Sequence, residues 1–215
     1  MHKRKKLSEE DVAENKRLYD LYHNSFQMED GWYPGNKEKN FAYLVKIAQL
    51  TNVSLSGTSC LDVGCGTGDF SLFLRERGVT GYLGLDIYEP SLKKARKKYP
   101  HESFLLGDFL AFPITTSFTY VFCSGALTVR MKSMDNYDYL SSFVAKMCQI
   151  ASVGVAFNIL TDDEPIKTPQ LFFYSEEKVV EMCKSIAPFA QVISEKTPNV
   201  HQSHIYLYQN SAKLL

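Results

Sequence analysis

Leu61-Asp62-Val63-Gly64-Cys65-Gly66-Thr67-Gly68-Asp69-Phe70 is where residue types and spacing point most directly to chemistry. An apolar run breaks into a turn with glycine at alternate positions and then enters a helix-compatible stretch. Glycines there let backbone approach a bound molecule at the end of a strand, where any Cβ would obstruct it. The acid before the first glycine sharpens the reading. A turn built to hold a pyrophosphate gains little from the carboxylate of Asp62, whereas a turn facing a ligand's cationic amino group gains from it.

Three further strand ends carry residues of matching chemistry. Tyr82-Leu83-Gly84-Leu85-Asp86-Ile87 ends in an acid 86 − 68 = 18 residues beyond Gly68, the spacing at which a carboxylate accepts ribose hydroxyls. Gly107-Asp108-Phe109 follows the next strand and offers an acceptor for an adenine amino group beside an aromatic ring. Cys123-Ser124-Gly125 ends the fourth strand with small residues that leave room beside a reacting centre. An acid after a strand is common as a turn residue or helix cap. The order and spacing of all four segments make them specific together.

These motifs need an alternating scaffold to bring them to one edge. Strands are predicted at Ser59 to Val63, Tyr82 to Ile87, Ser103 to Leu106, Thr119 to Cys123, Val153 to Leu160, Ala190 to Ser194 and His204 to Tyr208. Helices are predicted at about Ser8 to Phe26, Phe41 to Asn52, Asp69 to Arg77, Pro90 to Tyr99, Tyr137 to Ile150 and Ser175 to Ile186. Gly31 to Asn36 is a loop by composition. Strict alternation implies parallel strands and right-handed crossovers. The last two strands follow one another with no helix between them, which fits an antiparallel strand at the end of the sheet. The expected fold is therefore α/β, doubly wound, with a mostly parallel seven-stranded sheet. Residues 1–52 form an N-terminal helical cap of the same domain, and residues 53–215 the binding domain.

In this order the segments resemble the class I S-adenosylmethionine-dependent methyltransferases, Rossmann-like enzymes with a seven-stranded sheet. Asp62 to Gly68 matches that family's first motif, Asp86 its acid after the second strand, Gly107 to Phe109 its adenine segment, and Phe118 to Gly125 is similar to its fourth motif. The resemblance covers about Leu55 to Leu160 and extends through the final strand pair. It implies a transferase using S-adenosyl-L-methionine, with S-adenosyl-L-homocysteine as product. It also implies the cofactor contacts: Asp62, Gly64, Cys65, Gly66 and Gly68 at the methionine part, Asp86 and Ile87 at the ribose, Asp108 and Phe109 at the adenine, and Ser124 near the sulfur. Two departures stand out. Thr119 replaces an aspartate common in the fourth motif, at a position expected to be structural. Ser124-Gly125-Ala126-Leu127 replaces the Asp-Pro-Pro-Tyr of nucleobase-amine methylation, which counts against a nucleobase acceptor.

The acceptor is expected to be a small molecule, methylated on oxygen or nitrogen and held by the cap and by the loops after the fourth and fifth strands. Candidates are Tyr19, Trp32, Arg130 and Asn158, with His23 as a general base. A methyltransferase acting on protein or RNA, and a cofactor-binding relative without turnover, are the alternatives. A nicotinamide-dependent oxidoreductase conflicts with Asp69, which stands where the dinucleotide fingerprint needs its third glycine.

Bulk properties agree. The 215 residues carry 24 Lys plus Arg against 24 Asp plus Glu, a net charge of zero that argues against a dedicated nucleic-acid binder. The run Lys93 to Lys98 reads as the solvated face of a helix. The five cysteines form no CxxC pair and fit free thiols in a reducing, cytoplasmic setting. No metal site is expected: His201 and His204 have no further ligand beside them. The basic start, Met1 to Lys6, lacks the apolar stretch of a signal peptide, and no run is long enough to span a membrane. The sequence does not specify the oligomeric state.

Overall fold

A computed structural model describes residues 7–23, 36–198 and 201–208. Its elements, in chain order, are α1 (Glu9–His23), α2 (Asn36–Leu44), α3 (Ile47–Thr51), β1 (Ser59–Val63), α4 (Asp69–Arg75), β2 (Gly81–Asp86), α5 (Glu89–Lys98), β3 (Ser103–Leu106), β4 (Phe118–Cys123), α6 (Asn136–Ile150), β5 (Ala151–Leu160), α7 (Glu176–Ile186), β6 (Gln191–Lys196) and β7 (Gln202–Tyr208).

The seven strands form one sheet in the order β3-β2-β1-β4-β5-β7-β6. Neighbours from β3 to β5 pair in parallel, while β7 runs antiparallel to both β5 and β6. Strand order reverses between β1 and β4, and ligands of open α/β sheets bind outside the carboxyl ends of the strands at such a point.

Alternation along the strands builds a core on each face. Leu61, Val63, Val121, Cys123, Val155 and Phe157 point to one side and pack against Leu140, Phe143, Val144 and Met147 of α6, with Val179 and Cys183 of α7. Cys60, Tyr82, Tyr120, Phe122, Ala156 and Tyr206 point to the other side, where α2 to α5 supply Phe41, Leu44, Phe70, Leu74, Leu92 and Ala95. On α5 those two apolar residues face inward, and Lys93, Lys94, Arg96, Lys97 and Lys98 are exposed, as a solvated face requires.

Helix ends follow local chemistry. Ser175 accepts the N–H of Lys178 at 3.4 Å, and Asp135 accepts those of Tyr137 and Asp138 at 2.8 and 3.2 Å. Thr119 and Ser59 exchange side chain-to-backbone bonds of 3.2–3.3 Å at the starts of β4 and β1. That gives Thr119 a structural place.

The helix expected over Phe41–Asn52 is two helices, and it starts earlier, at Asn36. The polar stretch Asn36 to Asn40 shows little apolar periodicity, yet Lys37 and Asn40 are buried on polar partners. Asn52, at φ 55°, closes α3 in the left-handed conformation. The loop expected over Gly31–Asn36 lies outside the described residues except for Asn36, which opens α2. Residues 24–26 of the first expected helix lie outside them as well. Among the described residues, no helix is long and apolar enough to cross a membrane.

Candidate cofactor site

The glycine turn sits at the reversal of strand order, fastened to β2. Gly64 and Cys65 donate their N–H groups to the Leu85 carbonyl at 2.7 and 3.3 Å. The carboxylate of Asp86, at the end of β2, accepts the N–H of Gly66 at 2.7 Å and that of Tyr88 at 2.8 Å. The Asp86 carbonyl accepts the N–H of Gly107 at 2.8 Å. One strand end thus links the glycine turn to the segment after β3.

Two acids are buried there. Asp62 and Asp86 are each 2% exposed. Asp62 accepts the hydroxyl of Tyr82 at 2.8 Å. Burial pushes its carboxyl up to about 7, with the Tyr82 hydrogen bond opposing and the charge of Asp86 adding. Burial likewise raises Asp86, against the N–H groups of Gly66, Tyr88 and Ile87. Among the described residues, neither acid forms a salt bridge.

A cleft of about 430 Å³, counted out to its open mouth, lies over these strand ends. Gly64, Asp86, Ile87, Asp108 and Phe109, all predicted from the sequence, line it. The geometry also fits an approaching ligand. A Cβ on Gly66, at φ +54°, would meet nothing within 4 Å, so at Gly66 the turn presents bare backbone to open space.

The other predicted residues have varied surroundings. The Cys65 side chain packs beneath Gly84 in the core, and burial raises its thiol well above the ordinary value. The Ser124 Oγ is buried and has no hydrogen-bond partner among the described residues. Asn158 is buried, and its Oδ1 accepts the N–H of Gly125 at 2.8 Å, holding the backbone after β4. Arg130 is directed away from a gripping role: its guanidinium is exposed, donates to the carbonyls of Pro169 and Leu171, and lies over Phe172. Tyr19 and His23 belong to α1 by their backbone, but their side chains, like Trp32, lie outside the described residues.

Sequence reasoning missed the wall contributed by α1. Leu7 and Asn15 line the cleft, and the Leu7 N–H reaches Asp108 Oδ2 at 3.3 Å. Asp11 holds this wall: it accepts the N–H groups of Lys132 and Ser133 at 2.7 and 3.2 Å, and the hydroxyls of Ser8 and Ser133. Ser8 with Asp11 read as a helix start, and the Ser8 hydroxyl does accept the Asp11 N–H at 3.0 Å. The long-range partners gave no sequence signal. Tyr139 and Phe143 of α6, which also line the cleft, read only as a packing face.

His204 is buried between Asn40 and Thr197, stacked on Tyr43, and burial lowers it to about 3. It is a neutral core residue. No cluster of three possible metal ligands occurs among the described residues.

Residues 60–147 match the family described as the methyltransferase domain. That match runs from β1 through most of α6 and takes in the glycine turn, Asp86 and Asp108. The chain is 48% identical over 69 residues to the malonyl-[acyl-carrier protein] O-methyltransferase of Hamiltonella defensa subsp. Acyrthosiphon pisum (strain 5AT), a match covering 32% of this chain and 26% of that protein. It is 30% identical over 141 residues to the demethylmenaquinone methyltransferase of Shouchella clausii (strain KSM-K16), covering 61% and 57% of the two chains. The matches thus span less than two thirds of both curated relatives. Magnesium protoporphyrin IX methyltransferase from Synechocystis PCC 6803, solved with bound SAH, has the same fold at 13% identity and a TM-score of 0.69, over 93% of this chain and 98% of that one.

Proposed function

We propose that the cleft holds S-adenosyl-L-methionine and that the chain passes its methyl group to an oxygen or nitrogen of a small-molecule acceptor. The observation that carries this reading is the pair of buried acids, Asp62 and Asp86, beside a glycine turn whose middle residue, Gly66, faces open space. A ligand with cationic groups and a ribose diol offsets their burial. A pyrophosphate adds like charge. Asp69 also resists the dinucleotide reading, because its carboxylate is engaged by Lys37, Lys98, Tyr99 and Thr67.

In this reading Asp86 accepts the ribose hydroxyls, Asp108 the adenine amino group, and Phe109 borders the purine. The backbone from Gly64 to Gly68, with Asp62, receives the amino-acid tail. Ser124 is the proposed neighbour of the reacting end, and Asn158 steadies the backbone beside it at Gly125. Bound cofactor supplies a methyl already activated on a sulfonium, so the protein's contribution is placement and exclusion of water. His23 is the proposed base for an acceptor that must lose a proton, and Tyr19 and Trp32 are proposed acceptor contacts. Residues 1–52 are taken as the cap of the same domain. The compartment proposed is the cytoplasm, where all five cysteines stay as free thiols.

A carrier-bound acyl acceptor is the second reading, favoured by the malonyl-[acyl-carrier protein] relative.

Calorimetry with S-adenosyl-L-methionine tests the first step: one saturable site is expected, and no binding by well-folded protein overturns the reading. S-adenosylhomocysteine release is then measured with free and carrier-bound acceptors. Binding without release from any of them favours a non-catalytic relative.

A further inference from the structure

The segment that follows β3 is held from below by a buried cation. Lys146 of α6 is 8% exposed. Its ammonium donates to the carbonyl of Phe109 at 2.5 Å, that of Phe112 at 2.6 Å and that of Leu110 at 3.4 Å, and lies 4.9 Å from the centre of the Phe109 ring. Three N–H donors thus meet three carbonyls of one short segment.

That segment is a single turn. The Asp108 carbonyl accepts the N–H groups of Ala111 and Phe112 at 3.1 and 2.7 Å, and the Asp108 carboxylate accepts that of Leu110 at 3.0 Å. A carboxylate therefore holds the N–H end of the turn and an ammonium its carbonyl end, the sense in which charges stabilise helix termini. Asp108 and Phe109, which line the cleft, belong to the turn that Lys146 grips. Phe109 also packs on Phe143, one helical turn before Lys146, with ring centres 4.6 Å apart.

We propose that Lys146 is a positioning residue for the purine end of the cofactor: by clamping the carbonyls of the Phe109–Phe112 turn it aims Asp108 at the six-position of the base and sets the preference for a 6-amino over a 6-oxo purine. The inference rests on the reading of Asp108 as acceptor of the adenine amino group. A 6-oxo group there brings an oxygen against the Asp108 carboxylate, an acceptor facing an acceptor, and the hydrogen bond that the amino group donates is lost. That discrimination depends on the carboxylate's aim, and the aim depends on the clamp. Lys146 itself touches no reacting atom.

The test is calorimetry on the full chain with S-adenosylhomocysteine and with its deaminated counterpart, S-inosylhomocysteine. Wild type is expected to prefer the amino form by about tenfold or more, the scale of one charge-assisted hydrogen bond. Lys146→Met is expected to weaken S-adenosylhomocysteine by about tenfold and to bring the preference close to unity. Lys146→Gln, which keeps a donating tip, covers the case in which the methionine variant does not fold, and is expected to give an intermediate ratio. Equal weakening of both ligands with the wild-type ratio retained marks a merely structural lysine and overturns the proposal. Unchanged affinities in Lys146→Gln do the same. If wild type binds neither ligand, it is the cofactor reading that fails.

Discussion

The carboxylate of Asp86 accepts the backbone N–H of Gly66 at 2.7 Å, so the end of β2 grips the middle of the glycine turn. Its other oxygen takes the N–H of Tyr88 at 2.8 Å. A carboxylate has about four lone-pair sites, so acceptor capacity remains for a ribose hydroxyl. Asp86→Ala removes both functions. It is expected to weaken S-adenosylmethionine about tenfold to a hundredfold, the loss of charge-assisted bonds worth roughly 1.5–3 kcal/mol. Calorimetry reads the affinity, and an unchanged value removes Asp86 from the site.

Asp62 makes stability and binding depend on pH in opposite directions. Its folded pKa, about 7, lies above the ordinary 3.8, so the native state holds a proton that the unfolded chain gives up. The stabilising contribution is complete below the ordinary value and is lost as pH rises towards about 7. Asp62→Asn is expected to melt higher than wild type near neutral pH, with the advantage shrinking towards about pH 4. A cationic ligand favours the charged form, so wild-type binding is expected to release a proton near neutrality and the variant to bind more weakly. Titrations in buffers of different ionisation enthalpy check the proton release, and its absence separates Asp62 from the ammonium.

Two glycines of one turn are expected to fail differently. A Cβ on Gly64 would fall 2.3 Å from the Ala126 Cβ, whereas one on Gly66 would meet nothing within 4 Å. Both residues have positive φ, so each alanine carries a strain of about 1–2 kcal/mol. Gly64→Ala adds a steric clash and is expected to lower the melting temperature much further. Gly66→Ala is expected to fold with only the strain penalty and to lose cofactor affinity, because its methyl group enters the ligand's space. Matched melting and titration curves test the pair. Equal loss of melting temperature contradicts it.

The sheet was legible because its central strands, β1, β4 and β5, are largely apolar and buried on both faces. β1 and β3 have the bounds the sequence predicts, and most other elements differ by one or two residues. That Asp86, Asp108 and Phe109 line the cleft could be read because Asp86 ends β2 and the other two lie within three residues of the end of β3. The α1 wall could not be read that way. Asp11 is an acid in the first turn of a helix, the commonest of places, and nothing local says that Lys132 and Ser133 lie opposite it. Lys146 was hidden for a similar reason: a lysine among Phe143, Val144 and Met147 reads as an interruption of an apolar face until the carbonyls beneath it are seen. Arg130 misled in the other direction, since a cation after a strand end suggests an anion grip, and here it fastens a loop.

Asp11 supplies the last prediction. Its carboxylate, 1% exposed, joins the first turn of α1 to the loop after β4 through two N–H groups and two hydroxyls. Burial works against the charged form, but the bonds from Ser133, Lys132 and Ser8 outweigh it and hold the carboxyl below its usual value. Such a group stabilises the fold above the ordinary carboxylate range and loses that contribution as pH falls through the lowered value. Asp11→Ala leaves buried donors without acceptors, at a cost of roughly 2–4 kcal/mol. The loss is expected to be local: amide exchange in α1 and at Lys132 and Ser133 should quicken, while β1, β2 and β4 stay protected. Leu7 and Asn15 line the cleft on this same wall, so the cofactor's dissociation rate should rise as well. Uniform acceleration of exchange across the sheet, or an unchanged dissociation rate, is the result that would detach this wall from the site.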